Sequence, residues 1–176
     1  ILNKESVVSR KRNPIETVKS RIKTPDSIAA KLEAKNLPIT FDSMMTNLDD
    51  IAGVRVICPY ISDIYIVRDI LLKQPDITLI CQKDYIENPK ESGYRSLHLV
   101  IEVPVYLSKT AHNVRVEIQL RTIAMDFWAS LEHQLHYKNS CNVPDSIRRE
   151  LFRVAETIAM TDREMEEIAL ELQALD

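Results

Sequence analysis

The segment Val114-Arg115-Val116-Glu117-Ile118-Gln119-Leu120-Arg121 alternates without a break. Val114, Val116, Ile118 and Leu120 face one way, and Arg115, Glu117, Gln119 and Arg121 the other. Such a two-residue period belongs to a β-strand with one face in a core and the other face charged. Glu is depleted inside strands, so a carboxylate held between two arginines on a strand is an unusual placement.

The rest of the chain is organised around that strand. Pro14 starts a short helix over 14–23, because proline favours the first helical position. Thr24-Pro25-Asp26-Ser27 starts a second helix that runs to about Asn36, with Thr24 as its cap. Gly53–Pro59 reads as a strand, 63–73 as a helix on the spacing of Ile64, Val67, Ile70 and Leu71, and 77–86 as a second strand. A loop over 87–93 leads to a third strand over 95–103. A fifth strand is expected near 102–107, and a turn region over 108–113. Thr122 caps a helix of about 16 residues carrying Phe127, Trp128, Leu131 and Leu135. After Pro144 a last helix carries Ile147, Leu151, Val154, Ile158, Met165, Ile168, Leu172 and Leu175 in a regular seam, suited to packing on another helix in this chain or a partner. The order predicts one α+β domain, a mixed β-sheet of about five strands flanked by helices. Residues 1–143 form the core and 144–176 a packing or oligomerisation helix.

Composition narrows the chemistry. Gly53 and Gly93 are the two glycines in 176 residues. A P-loop or a dinucleotide fingerprint needs several glycines close together, so neither is present and side chains must hold any bound phosphates. The net charge of −3 argues against a general nucleic-acid binder. Residues 1–35 hold nine Lys/Arg against four Asp/Glu, and residues 144–176 hold four against nine. An anionic ligand is therefore expected at the basic end. No apolar run approaches the roughly 18 residues of a membrane span, and no signal-peptide pattern is visible. Cys58, Cys81 and Cys141 are widely spaced and odd in number, which points to a reducing cytoplasm. His133, His136 and Cys141 lack a fourth ligand at a zinc spacing, so the two histidines read as ordinary helix residues.

Three clusters carry candidate chemistry. Arg21, Lys23, Ser27 and Lys31 follow R-x-K-x3-S-x3-K, with Ser27 and Lys31 on one helix face and the two other cations just before the helix start. That set can hold a polyphosphate; the alternative is a solvated basic face. Asp49-Asp50 precede the strand at 53–59. If Asp50 and Glu117 stand on neighbouring strands they can share Mg²⁺, which takes one or two carboxylates plus substrate phosphates. The alternative is that Glu117 pairs with Arg115 or Arg121 on a wet sheet face. Lys83, Lys90 and Tyr94 lie around a loop with Gly93, where an aromatic ring can stack on a base while cations hold its phosphates. The alternative is an ordinary hairpin loop with a tyrosine over the core edge.

Taken together, the segments NPIETVKSRIKTPDSIAAK (13–31), LDDIAGVRVIC (48–58), KDYIENPKESGYRSLHLV (83–100) and VEIQLRTIAMDFWASLEHQLHYK (116–138) closely resemble the synthetase domain of the RelA/SpoT family. The likeness is greatest to its small alarmone synthetases of the RelQ type. The resemblance implies a nucleotidyltransferase-like fold and transfer of the β,γ-pyrophosphate of ATP to the 3′-hydroxyl of GDP or GTP, giving ppGpp or pppGpp and AMP. It implies that Arg21, Lys23, Ser27, Lys31 and Arg55 bind ATP, with Arg21 and Arg55 around the adenine. Asp50 and Glu117 would bind Mg²⁺, and Glu117 would orient and activate the 3′-hydroxyl. Tyr94 would stack on guanine, with Lys83, Lys90, His98 and Gln119 around the acceptor; Arg115 receives no role. The sequence contains no His-Asp pair, so synthesis without hydrolysis is implied. The resemblance further implies a homotetramer and an allosteric pppGpp site. Thr17 and Lys19 depart from that site's pattern, standing where relatives carry an aromatic residue and a Thr. Two other readings compete: a nucleotidyltransferase moving NMP, and a binder of nucleotide or single-stranded RNA using Arg10-Lys11-Arg12.

Overall fold

The computed structural model describes residues 12–106, 111–138 and 143–175. Five strands form one sheet: β1 (Thr17–Ile22), β2 (Ala52–Cys58), β3 (Thr78–Asp84), β4 (Leu97–Tyr106) and β5 (Ala111–Thr122), in the order β1-β2-β5-β4-β3. β2 and β5 run parallel and the other neighbours antiparallel, so the sheet is mixed as expected. The helices are α1 (Pro25–Ala34), α2 (Phe41–Asn47), α3 (Ile61–Leu72), α4 (Ile123–Lys138) and α5 (Asp145–Ala174). None is long and apolar enough to cross a membrane.

The alternation in β5 does what its period demands. Ile118 and Leu120 enter a core with Val56 and Cys58 of β2 and Leu97, Leu99 and Ile101 of β4, and α3 closes it with Ile64, Val67 and Leu71. Each such aliphatic side chain, fully buried, contributes about 1.5–3 kcal/mol. Burial also pushes the Cys58 thiol up to about 12, with the Asp63 charge adding to it, so this cysteine is an inert core residue. The opposite sheet face carries the charged and polar side chains of Lys19, Arg55, Gln119, His98 and Lys83.

Two local expectations change. Residues 17–22 form a strand and not part of a helix over 14–23. Their backbone pairs with β2 from Thr17–Ile57 to Ile22–Ala52, and all six are exposed, so no alternating burial marks the strand. This edge strand is the fifth. The one expected near 102–107 is the continuation of β4, which runs to Tyr106. Within the expected turn over 108–113, β5 is already under way at Ala111, and 107–110 lie outside the described residues. The short helix α2 was not anticipated; Thr40 caps it, accepting from the Ser43 amide at 3.2 Å.

α5 docks differently from its apolar seam. Its buried positions are Ala155 and Asp162. Ala155 packs on Trp128 and Ala129 of α4, and Asp162 accepts a 2.6 Å hydrogen bond from the Thr122 hydroxyl. Glu166 accepts from the Ser62 amide at the start of α3 at 2.8 Å. The seam residues Ile147, Val154, Met165, Ile168 and Leu172 remain 38–61% exposed. Phe127, Leu131 and Leu135 of α4 are also exposed, and Trp128 supplies the buried ring. Arg12 is tied to buried Asp63 at 2.6 Å, while Arg10, Lys11 and Cys141 lie outside the described residues. Among the described residues no group of three or more His, Cys, Asp or Glu is arranged to hold a metal.

Candidate active site

The register of the sheet assembles the site. Lys19, Arg55, Gln119, His98 and Lys83 stand side by side across β1, β2, β5, β4 and β3. Two residues along the same face, Arg21, Gly53, Glu117, Val100 and Cys81 form the next row. Arg55 and Gln119, and Gly53 and Glu117, far apart in sequence, thus become neighbours because β2 and β5 pair in parallel. Lys19, Arg21, Gly53, Arg55, Glu117 and Gln119 line a cavity of ≈ 160 Å³.

Asp50 sits just before β2. Its Oδ2 accepts from Lys31 Nζ at 2.6 Å and lies 2.9 Å from Lys23 Nζ. Thr24 explains why Lys31 arrives there: it caps α1 by accepting from the Ser27 amide at 3.3 Å, and Lys31 lies one turn further on. Ser27 Oγ is 2.9 Å from Thr24 Oγ1, at the same helix start. Burial alone would raise the Asp50 pKa, but the hydrogen bonds and charges of Lys31 and Lys23 outweigh it and hold the carboxyl below its ordinary value. Its second oxygen, Oδ1, is buried with no hydrogen-bond partner.

Glu117 pairs with neither Arg115 nor Arg121. Its Oε1 is 3.3 Å from His98 Nδ1 and its Oε2 is 3.4 Å from Gln119 Nε2. The His98 hydrogen bond lowers its pKa, burial and the Asp50 charge oppose this, and the balance keeps it low. Asp50 therefore lies close enough for Glu117 to feel its charge. Arg115, without a role in the sequence reading, ties the approach to β2 by donating to Asp49 Oδ1 at 2.9 Å and Thr46 O at 3.2 Å.

Tyr94 anchors the third cluster. Its hydroxyl is 2.8 Å from His98 Nε2 and accepts from Arg121 Nη2 at 2.6 Å. Lys90 Nζ lies 4.8 Å from the Tyr94 ring centroid and 4.7 Å from that of Tyr85. Tyr94 also packs on the Trp128–Ala155 cluster. The sequence offers Arg121 only as an alternative partner for Glu117, and gives no sign of Asp126. Arg121 is buried, and Asp126 Oδ1 lies 3.1 Å from Arg121 Nη1 and 3.2 Å from Arg55 Nη1. Arg121 is legible as the last residue of the alternating strand; its partner on the following helix is not.

An open sheet face where cations surround two carboxylates can take up a polyanion together with a hard cation. The comparisons with known proteins agree with that class. A family model described as a region found in RelA / SpoT proteins matches residues 20–142. The chain is 48% identical over 165 residues to GTP pyrophosphokinase YwaC of Bacillus subtilis, covering 94% of this chain and 79% of that protein. It is 43% identical over 161 residues to GTP pyrophosphokinase YjbM of the same organism, with coverages of 92% and 75%. The crystal structure of small alarmone synthetase 1 from Bacillus subtilis bound to its product pppGpp superposes with a TM-score of 0.86 at 41% identity, covering 98% of this chain and 87% of that one. The chain belongs to the RelA/SpoT family.

Proposed function

We propose that this chain is a GTP pyrophosphokinase that moves the β,γ-pyrophosphate of ATP to the 3′-hydroxyl of GDP or GTP, forming ppGpp or pppGpp and AMP. The observation that carries the reading is Glu117 in the Arg21–Arg55 cleft, within reach of the Asp50 charge, with Tyr94 and His98 on the far side. Pyrophosphate transfer needs a donor site and an acceptor site flanking one charged centre, and that is the order of groups across this sheet.

Each group has a task that its surroundings support. Lys23 and Lys31 neutralise donor phosphate charge as it builds up on the transferred group. Arg21 and Arg55 hold the adenine, Ser27 adds a hydroxyl at the start of α1, and Lys83, Lys90 and Gln119 surround the acceptor. Tyr94 offers its ring to guanine. Glu117 is a carboxylate whose pKa is held below its ordinary value, so it is ionised and free to accept the 3′-hydroxyl proton and to aim the oxygen at the β-phosphorus. The new O–P bond forms as the bond to AMP breaks, and AMP departs with the electron pair. Asp50 and Glu117 fit Mg²⁺: Asp50 Oδ1 is buried and unpartnered, and two carboxylates plus substrate phosphates make a normal Mg²⁺ set. When bound, Mg²⁺ would supply charge neutralisation between the phosphates.

The exposed seam of α5 supports assembly through residues 144–176, which we read as a homotetramer in the cytoplasm. Lys19 lines the donor cleft. For pppGpp as an effector, binding measured on the assembled protein is the test. Arg12 is occupied by Asp63, which leaves the single-stranded RNA reading without support from that residue.

Incubation of the purified protein with ATP, Mg²⁺ and GTP, followed by chromatography, tests the function. AMP and pppGpp in equal amounts support it. Release of free pyrophosphate with a nucleotidylated acceptor supports NMP transfer instead, and no product supports a binding protein.

A further inference from the structure

Buried Arg121 makes no contact with the donor-phosphate cradle, yet two chains of hydrogen bonds lead from it to Glu117. A guanidinium has donors and no acceptor, so both groups that meet its Nη2 must accept: Tyr94 Oη at 2.6 Å and Gln119 Oε1 at 3.1 Å. An ionised carboxylate only accepts, so Glu117 sets the direction of the branch through His98, and Arg121 that of the branch through Gln119. The Tyr94 hydroxyl, accepting from Arg121, has its proton to give to His98 Nε2 at 2.8 Å. His98 accepting at Nε2 carries its hydrogen on Nδ1, and Nδ1 lies 3.3 Å from Glu117 Oε1. On the other branch, Gln119 with its oxygen on Arg121 turns its NH₂ toward Glu117 Oε2 at 3.4 Å. Both carboxylate oxygens are thus addressed by donors on hydrogen-bond chains that end on one guanidinium. Asp126 holds that guanidinium at 3.1 Å, on the same oxygen that meets Arg55 at 3.2 Å.

We propose that Arg121, pinned by Asp126, is a positioning residue that orients Glu117 through Tyr94–His98 on one side and Gln119 on the other. The proposal rests on the pyrophosphokinase reading and deepens it. Tyr94 then has two separable duties. Its ring serves acceptor binding, and its hydroxyl serves the reacting carboxylate. Partners of this kind, one step removed from the reacting groups, commonly account for about 10- to 100-fold in activity.

Tyr94→Phe separates the duties, because it keeps the ring and cuts the hydroxyl link. The expected result is kcat lowered about 10- to 100-fold with KM for GTP unchanged, the signature of an interaction made in the transition state. Arg121→Lys loses the fork that serves both branches and is expected to lower kcat further. Wild-type kcat in Tyr94→Phe, or a loss confined to KM, overturns the proposal. A second measurement needs no turnover. Long-range ¹H–¹⁵N spectra of the wild-type protein at pH 8 report the His98 tautomer, assigned by comparison with His98→Gln. The Nδ1–H form is expected, and the Nε2–H form overturns the relay. A protein with the Nδ1–H form that makes no pppGpp refutes the functional reading and leaves the hydrogen-bond relay standing.

Discussion

Gly53 on β2 stands directly opposite Glu117 on β5, and the side chain of Arg21 lies over it. A Cβ on Gly53 would meet Arg21 Cγ and Nε at 3.6 Å, an ordinary contact. Gly53→Ala is therefore expected to fold and turn over as the wild type does. Gly53→Val puts branched methyls where the arginine runs and displaces it. KM for ATP is expected to rise about tenfold, equivalent to ~1.4 kcal/mol of binding, with KM for GTP unchanged. Steady-state kinetics with each nucleotide varied separately checks this; equal changes for both would break the link between Gly53 and the donor.

Tyr94→Ala removes the ring as well as the hydroxyl. Calorimetry is expected to show GTP binding weakened by about 1–3 kcal/mol, the range of a base–aromatic stack, and binding of a non-hydrolysable ATP analogue little changed. An equal loss for the two nucleotides would refute the stacking role.

Stability should depend on acid in a defined sense. Asp50 and Glu117 ionise more readily in the folded protein than in the unfolded chain. Their contribution is complete above the ordinary values of 3.8 and 4.5 and is lost as pH falls through the lower folded values. Asp162 has the opposite sign: burial raises its pKa, and the Thr122 hydroxyl offsets only part of that. Its contribution is complete below 3.8 and is lost as pH rises through the folded value. Asp162→Asn keeps an oxygen for Thr122 and removes the buried charge, so it is expected to be at least as stable as the wild type at pH 7. Asp50→Asn combined with Glu117→Gln is expected to flatten the loss of stability below pH 4.5. Urea unfolding across pH measures both effects.

Gly93 adopts φ +85°, and a Cβ there would come within 2.5 Å of Ala155 Cβ. Backbone strain and overlap with α5 act together, so Gly93→Ala is expected to cost about 2 kcal/mol or more. A thermal melt checks it; an unchanged Tm would show that α5 yields without penalty.

The readability of this chain followed burial. β5 was unmistakable because its two faces differ, and α1 because Thr24 and Pro25 mark its start. β1 is illegible in the sequence because Thr17–Ile22 bury nothing; its conformation comes from the backbone of β2, a partner some 35 residues away. α2 is a single short helix without an apolar period. Within the site, Asp50, Lys23 and Lys31 were named from spacing, and they meet within 2.9 Å. The partner of Glu117 was not readable, because strand register and not sequence proximity brings His98 to it across β4 and β5. Asp126 is hidden for a related reason. A helical carboxylate shared by two arginines, 5 and 71 positions away in sequence, leaves no local signal.

The proposed reaction stands on Glu117 as the carboxylate that receives the acceptor hydroxyl. Glu117→Gln keeps the shape and the hydrogen-bonding positions while removing the charge, and its product formation from ATP, Mg²⁺ and GTP is the most direct measurement. The account predicts a folded protein that binds both nucleotides and forms AMP and pppGpp at least about 100-fold more slowly. Turnover at the wild-type rate would contradict it.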